Sequence, residues 1–175
     1  ILFSDAVFAI AVTLMAIEIR LPESADGTVH LSEALMHLLP VFTAYIASFS
    51  FIGAVWYQHL RVFGVLKDYD RGLVVRNLVL LFMVGLFPFG VTVITHAKGS
   101  ELDLAVSANL LLACLIAQYA LQHYILVQRP GLCIRSDLSE QRQGLHRRKV
   151  AILSVGASMA LILATQTLAT DPDVR

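Results

Sequence analysis

Charge is what this sequence has least of. Only 15% of its 175 residues are Asp, Glu, Lys or Arg, while 57% are hydrophobic; soluble domains carry roughly 25% charged residues. A water-soluble globular domain is not expected on that ground. Neither sign is in excess, because 13 basic residues balance 13 acidic ones. The positive surplus that neutralises phosphates is missing, so no nucleic-acid partner is expected. Cysteine is scarce too. Cys114 lies in an apolar stretch and Cys133 in a polar one, which gives neither a disulfide framework nor a metal spacing, and both read as free thiols. H-E-x-x-H, G-x-S-x-G, Walker and dinucleotide-binding motifs are all lacking. Ser4, Asp5 and His59 make a poor nucleophile constellation, since a serine directly beside its carboxylate leaves no room for a base between them. No enzyme, no cofactor and no tightly bound metal is expected. With no linker, repeat or low-complexity segment, residues 1–175 read as one transmembrane domain.

What is present is a series of long uncharged runs. Hydrocarbon about 30 Å thick takes about 20 helical residues to cross. The runs 34–60, 77–97, 104–128 and 150–170 are each long enough, and 6–17 is shorter. That first run has neither a basic leader nor a small-residue cleavage site, so it reads as a helix whose beginning lies upstream and not as a signal peptide. The fold class expected is all-α: a polytopic helical membrane protein with five transmembrane helices, the first truncated. Arg61, Lys67, Arg71 and Arg76 surround the second connection, and Arg129, Arg135, Arg142, Arg147, Arg148 and Lys149 the fourth. These two connections are expected in the cytoplasm, so the chain would begin inside and end outside. Gly156, Ala160 and Ala164, and again Ala113 and Ala117, place small residues at four-residue spacing. Packing within the protomer is the expected use, with a subunit contact as the alternative.

Polar residues inside a span need a partner or a function. Ser4 and Asp5 near the start of the first helix, Trp56 and His59 near the end of the second, and Arg76 with Asn77 at the start of the third share one depth. Their donors and acceptors can satisfy one another across three helices. The alternative is that His59 and Arg76 meet water and headgroups, with Trp56 a belt aromatic. Gln118, His123 and Asn109 read as buried helix–helix hydrogen bonds. His30, His37 and His96 read as solvated, and Pro40 and Pro88 as kinks.

Along the first helix, Phe3, Ile10, Leu14 and Ile17 fall on one stripe with Thr13 a step away, while Ser4, Phe8, Ala11 and Met15 fall on another face. A bulky aliphatic stripe ordinarily meets lipid or neighbouring helices. Symmetry-related copies that turned it to a shared axis would instead form a hydrophobic constriction. No carbonyl-lined filter is encoded, since Val91-Thr92-Val93-Ile94 lacks the glycines and tyrosine of T-V-G-Y-G.

Phe3-Ser4-Asp5 followed by A-V-F-A-I-A-V-T-L resembles the first-helix signature of the transmembrane protein 175 family of potassium channels, found in lysosomes and bacteria. Trp56-Tyr57-Gln58-His59 is similar to the family's W-x-x-H. Arg76-Asn77-Leu78 through Leu86-Phe87-Pro88 is similar to its third helix. The resemblance covers about residues 3–88, and beyond that only the hydropathy agrees. It implies a six-helix unit, assembled as a homotetramer in bacteria and as a pair of doubled chains in animals. The single unit here then suggests a prokaryotic plasma membrane. It also implies a pore lined by first helices, with Ile10 as the narrowest ring, Thr13 or Leu14 and then Ile17 in the next layers, and Ser4, Asp5, Trp56, His59 and Asn77 as an interhelical network. Two departures stand out: the arginine the family places four residues before F-S-D would precede Ile1, and the sixth helix would follow Arg175, so the chain looks trimmed at both ends. The function expected is a weakly to moderately selective potassium-permeable channel, with K+ as permeant ion and lipid and its own copies as partners. A cation- or proton-coupled transporter using Asp5 and His59, or a non-transporting scaffold, are the rival classes.

Overall fold

The computed structural model describes residues 1–17, 19, 31–96, 101–134 and 138–170. Arg135 of the fourth connection and His30 lie outside the described residues. Among the described residues six α-helices follow in order: α1 (Leu2–Ile17), α2 (Leu31–Phe63), α3 (Arg71–Gly85), α4 (Phe87–His96), α5 (Glu101–His123) and α6 (Ser139–Thr170). A π-helical turn, Tyr124–Gln128, and a 3-10 turn, Pro130–Leu132, follow α5. Among the described residues three stretches are long and apolar enough to cross a bilayer: Leu38–Phe63, Arg71–Gly90 and Ala105–Gln128. The chain is a polytopic helical membrane protein, because lipid leaves a backbone no hydrogen-bond partner outside its own helix. The 16-residue α1 is apolar but shorter than a full span.

Several helices outrun their uncharged runs. α2 continues through Arg61, and α6 begins well before Val150 and carries Arg142, Arg147, Arg148 and Lys149. An uncharged run measures hydrocarbon thickness, whereas helical hydrogen bonding carries on into the headgroup layer where charge is tolerated. The reverse happens in the third run, which is two helices. Asp70 caps α3, its Oδ1 accepting from the Leu73 N–H at 2.7 Å, and the helix stops at Leu86. α4 then restarts with Pro88 in its first turn, where a missing N–H costs nothing. Pro40 leaves α2 continuous.

In lipid, helices are held together by close packing and polar contacts and not by exclusion from water. The interior is apolar: Phe8, Ala11 and Met15 of α1 pack in one cluster with Ile52 and Val55 of α2, Leu80, Leu81 and Val84 of α3, and Cys114, Ala117 and Leu121 of α5. Cys114 and Cys133 are both buried and free. Ala117 lies in this interior as its spacing suggested, but Gly156 and Ala160 of α6 do not. Ala160 is exposed, and a Cβ added at Gly156 would meet nothing within 4 Å, so these two positions face away from the protomer.

The second and fourth connections are stitched to each other. Leu66 and Cys133 form an antiparallel bridge. Lys67 N–H donates to Leu132 O at 2.9 Å, and Ile134 N–H donates to Val65 O at 2.8 Å. The two basic connections therefore lie at one end of the bundle.

Candidate functional site

α1 has two unlike faces. Ser4, Phe8, Ala11 and Met15 are buried against the rest of the protomer. On the other side Ile10 is 57% exposed, Leu14 45% and Ile17 60%, and Thr13 is exposed between them. The Thr13 hydroxyl donates to Ile10 O at 2.9 Å. Its proton is thus committed to the helix, and its lone pairs face outward.

The buried face leads to a polar junction of three helices. Asn77 on α3 donates through Nδ2 to Ser4 Oγ at 3.1 Å. That turns its Oδ1 toward His59 on α2, 2.8 Å from Nε2. The ring must then donate through Nε2, which leaves Nδ1 a buried acceptor with no donor among the described residues. The imidazole is stacked on Phe63, with centroids 4.0 Å apart, and lies 5.6 Å from the Phe8 ring. One side chain therefore joins an aromatic contact from α1 to an amide from α3. Beside this set Trp56 Nε1–H donates to Asp5 Oδ1 at 2.9 Å, at the exposed edge. Ser4, Asp5, Trp56, His59 and Asn77 thus come together as two hydrogen-bonded sets, joined through the adjacent residues Ser4 and Asp5.

Arg76 belongs to neither set. Its guanidinium carbon lies 3.9 Å above the centre of the Tyr124 ring, and Nη1 donates to Gly72 O at 3.0 Å. Tyr124, at the start of the π-helical turn, donates its hydroxyl to Asp70 Oδ2 at 2.6 Å. Asp70 thereby caps α3 and fastens it to α5. The Tyr124 bond, then the Leu73 N–H, hold its carboxyl below the ordinary carboxylate range. Gly72 is required beneath this contact, because a Cβ there would run into the Tyr124 hydroxyl. Arg129 adds an exposed ion pair, Nε to Asp70 Oδ2 at 3.8 Å, of the kind that stabilises little. Burial pushes the nearby Cys133 thiol up from its usual range.

Of the remaining polar residues, Gln118 is buried and donates to Val55 O at 3.4 Å, a long interhelical bond. His123 lies against Tyr119 with ring centroids 5.7 Å apart. Asn109 differs from expectation: it is exposed and donates to Ala105 O of its own helix at 2.8 Å, because a short amide one turn along reaches that carbonyl more easily than a neighbouring helix. The side chains of His37 and His96 lie outside the described residues. Among the described residues no His, Cys, Asp and Glu group is placed to hold a metal ion. The Asp70–Tyr124–Arg76 anchor was not foreseen from the sequence, which grouped Arg76 with the junction residues and left Asp70 and Tyr124 as ordinary interfacial residues; Gly72, two residues after the capping Asp70, was its one available sign.

The family model described as the endosomal/lysosomal potassium channel TMEM175 matches residues 1–88. A potassium channel of Streptomyces collinus is 31% identical over 175 residues, covering 95% of this chain and 84% of that protein. A Chryseobacterium potassium channel is 32% identical over 153 residues, covering 87% and 74%. The human protein named endosomal/lysosomal proton channel TMEM175 is 32% identical over 93 residues, 49% of this chain and 18% of its own length. The crystal structure of a lysosomal potassium-selective channel TMEM175 homologue from Chamaesiphon minutus superposes with a TM-score of 0.68 at 27% identity, covering 93% of this chain and 87% of that one. A family model that spans half of the chain and a Streptomyces relative that aligns along nearly all of it agree with each other: the chain belongs to the TMEM175 family.

Proposed function

We propose that the protein is the protomer of a potassium-permeable cation channel, a homotetramer in a prokaryotic plasma membrane with the start of α1 on the cytoplasmic side. The observation that carries this reading is the division of α1. One face is packed into the protomer, and the aliphatic face bearing Ile10, Leu14 and Ile17 is left uncovered. Four copies that turn this face to a common axis make a narrow apolar neck at Ile10, followed by Thr13 or Leu14 and then Ile17. Such a neck offers no oxygens to replace an ion's hydration shell. Preference for K+ then comes from the larger dehydration penalty of Na+, with the outward lone pairs of Thr13 beside the neck. The junction of Ser4, Asp5, Trp56, His59 and Asn77 keeps α1 at a fixed rotation, so that the stripe stays aimed at the axis.

The test is flux in liposomes carrying the intact protein, with K+ against Na+ as control. Ile10→Asn is expected to raise conductance and move the permeability ratio toward one in reversal-potential measurements, while Met15→Asn, on the packed face, disturbs folding instead. Wild-type conductance and reversal potential in Ile10→Asn, with both altered in Met15→Asn, would rule out this lining. Orientation is tested by cysteines introduced at Lys67 and Arg142. Both should be protected from an impermeant thiol reagent in intact cells, and labelling from outside reverses the topology. Proton permeation is the second reading, favoured by the proton-channel names of the mammalian relatives. A pH-sensitive dye in the same liposomes separates the two.

A further inference from the structure

A groove of about 380 Å³ lies between α1 and α2. Asp5, Ala9 and Val12 form its α1 side, and Trp56, Gly53 and Phe49 its α2 side, so that matching three- and four-residue steps of two helices running in opposite directions face each other. Phe8 and Ile52 are buried and make the floor. The groove is on a third side of α1, since none of Ile10, Leu14 and Ile17 of the aliphatic stripe lines it. Its two ends are unlike. One holds Asp5 and Trp56, and the other, seven residues or about 10 Å along, is walled by Val12 and Phe49. At the polar end Trp56 Nε1–H donates to Asp5 Oδ1. Among the described residues no donor reaches Oδ2, and no basic side chain is paired with Asp5. Gly53 keeps the middle open, because an added Cβ would meet nothing within 4 Å.

We propose that this groove binds a single-chain amphiphile whose head is a protonated amine, with the ammonium on Asp5 Oδ2 beside the Trp56 indole and the chain running past Ala9 and Gly53 to Val12 and Phe49. The choice of occupant follows from one carboxylate standing at one end of an otherwise apolar trough. An acyl chain alone would cover the walls but leave a carboxylate oxygen facing hydrocarbon, which is costly. An inorganic cation would meet the oxygen and leave the walls wet. A zwitterionic phospholipid brings a phosphate beside its ammonium, and Asp5 would repel it. A protonated amine suits both surfaces: it donates a charge-assisted hydrogen bond, and it stands close to the kind of ring that attracts cations best. A bilayer delivers such a molecule with its head at the depth of Asp5, in the first turn of α1, and its chain pointing inward. The assignment depends neither on which ion the protein passes nor on where the aliphatic stripe points.

The test is the emission of Trp56, the one tryptophan among the 175 residues, in the purified intact protein in neutral detergent. Decylamine at neutral pH should change this emission and saturate, and Trp56→Phe should remove the signal. Decanol, with the same chain and no charge, should need about tenfold more for half-saturation, the effect of one charge-assisted contact. Asp5→Asn keeps the acceptor for Trp56 and loses the charge, so it should weaken decylamine about tenfold and leave decanol unchanged. Gly53→Leu should block both ligands without touching any charge. Ala9→Leu, at an exposed position on the facing wall, should do the same, and it carries the test if Gly53→Leu does not fold. Gly156→Leu, where an added Cβ also meets nothing within 4 Å, should bind like the wild type. Equal half-saturation by decylamine and decanol, or by the wild type and Asp5→Asn, would overturn the proposal. So would wild-type saturation in the blocking variants, displacement of decylamine by K+ alone, or loss of the oligomer in Gly53→Leu and Ala9→Leu, which would make a second copy the occupant.

Discussion

Two polar clusters stand at the same end of the bundle and work in opposite ways. The junction of Ser4, His59 and Asn77 is uncharged, with Ser4 and His59 buried and Asn77 half-buried, and each of its two hydrogen bonds joins one donor to one acceptor. The anchor at Asp70 is at the margin and charged, and its one carboxylate serves a helix cap, a tyrosine hydroxyl and an arginine. The buried set fixes helix rotation, because a donor with a single available acceptor tolerates little turning. The marginal set fixes helix position and holds α3 to α5, with water ready to replace any bond that is lost. A substitution should therefore cost more in the junction than in the anchor.

Asn77→Leu sharpens this contrast most. It strands His59 Nε2 and removes the partner of Ser4 in a buried setting, so a loss on the order of 2 kcal/mol or more is expected, read as a lower midpoint of thermal unfolding in detergent. Combined with His59→Ala, the loss should be smaller than the sum of the two single changes, because the residues share one bond. Additive losses would mean that the two do not act together.

Tyr124→Phe should be milder at neutral pH and should show itself in acid. A carboxyl held below its ordinary range stabilises the fold above that range, and the contribution is lost as pH falls through the depressed value. Wild-type stability should thus decline below the ordinary carboxylate range, and Tyr124→Phe should flatten that limb by removing the largest cause of the shift. An unchanged acid limb would remove Tyr124 as the cause. Gly72→Ala should mimic it by pushing the ring away.

Smallest of all is the edge of the junction. Trp56→Phe deletes one exposed hydrogen bond and should cost less than about 1 kcal/mol. Asp5→Asn keeps an acceptor at Oδ1 and should cost less still. A loss from either that matched Asn77→Leu would put the two sets in a single network and end the distinction drawn between them.

Much of this arrangement was legible in the sequence, for a physical reason. A polar residue in an apolar run is conspicuous, so Ser4, His59 and Asn77 could be grouped by depth, and period 3.6 separated Phe8, Ala11 and Met15 from Ile10 and Ile17. The anchor was not legible, because Asp70, Arg76 and Tyr124 sit where charge and aromatics are ordinary, and only geometry shows that they touch. The division of the third run at Leu86 was half legible: Pro88 announced a disturbance, but whether a proline bends a helix or restarts it depends on which carbonyls the neighbouring backbone can still reach. The stitch between the connections could not be read at all, since backbone groups carry no sequence label.

That stitch bears on the order in which the molecule is made. Val65 and Lys67 leave the ribosome long before Leu132 and Ile134, yet each pair shares a hydrogen bond. While α3, α4 and α5 are being threaded into the membrane, the first half of the contact stays hydrated, and it can close only after α5 has returned the chain to the same side. The bridge at Leu66 and Cys133 is thus a checkpoint on insertion: a chain whose α5 failed to cross would have these partners on opposite sides of the bilayer and could not form it.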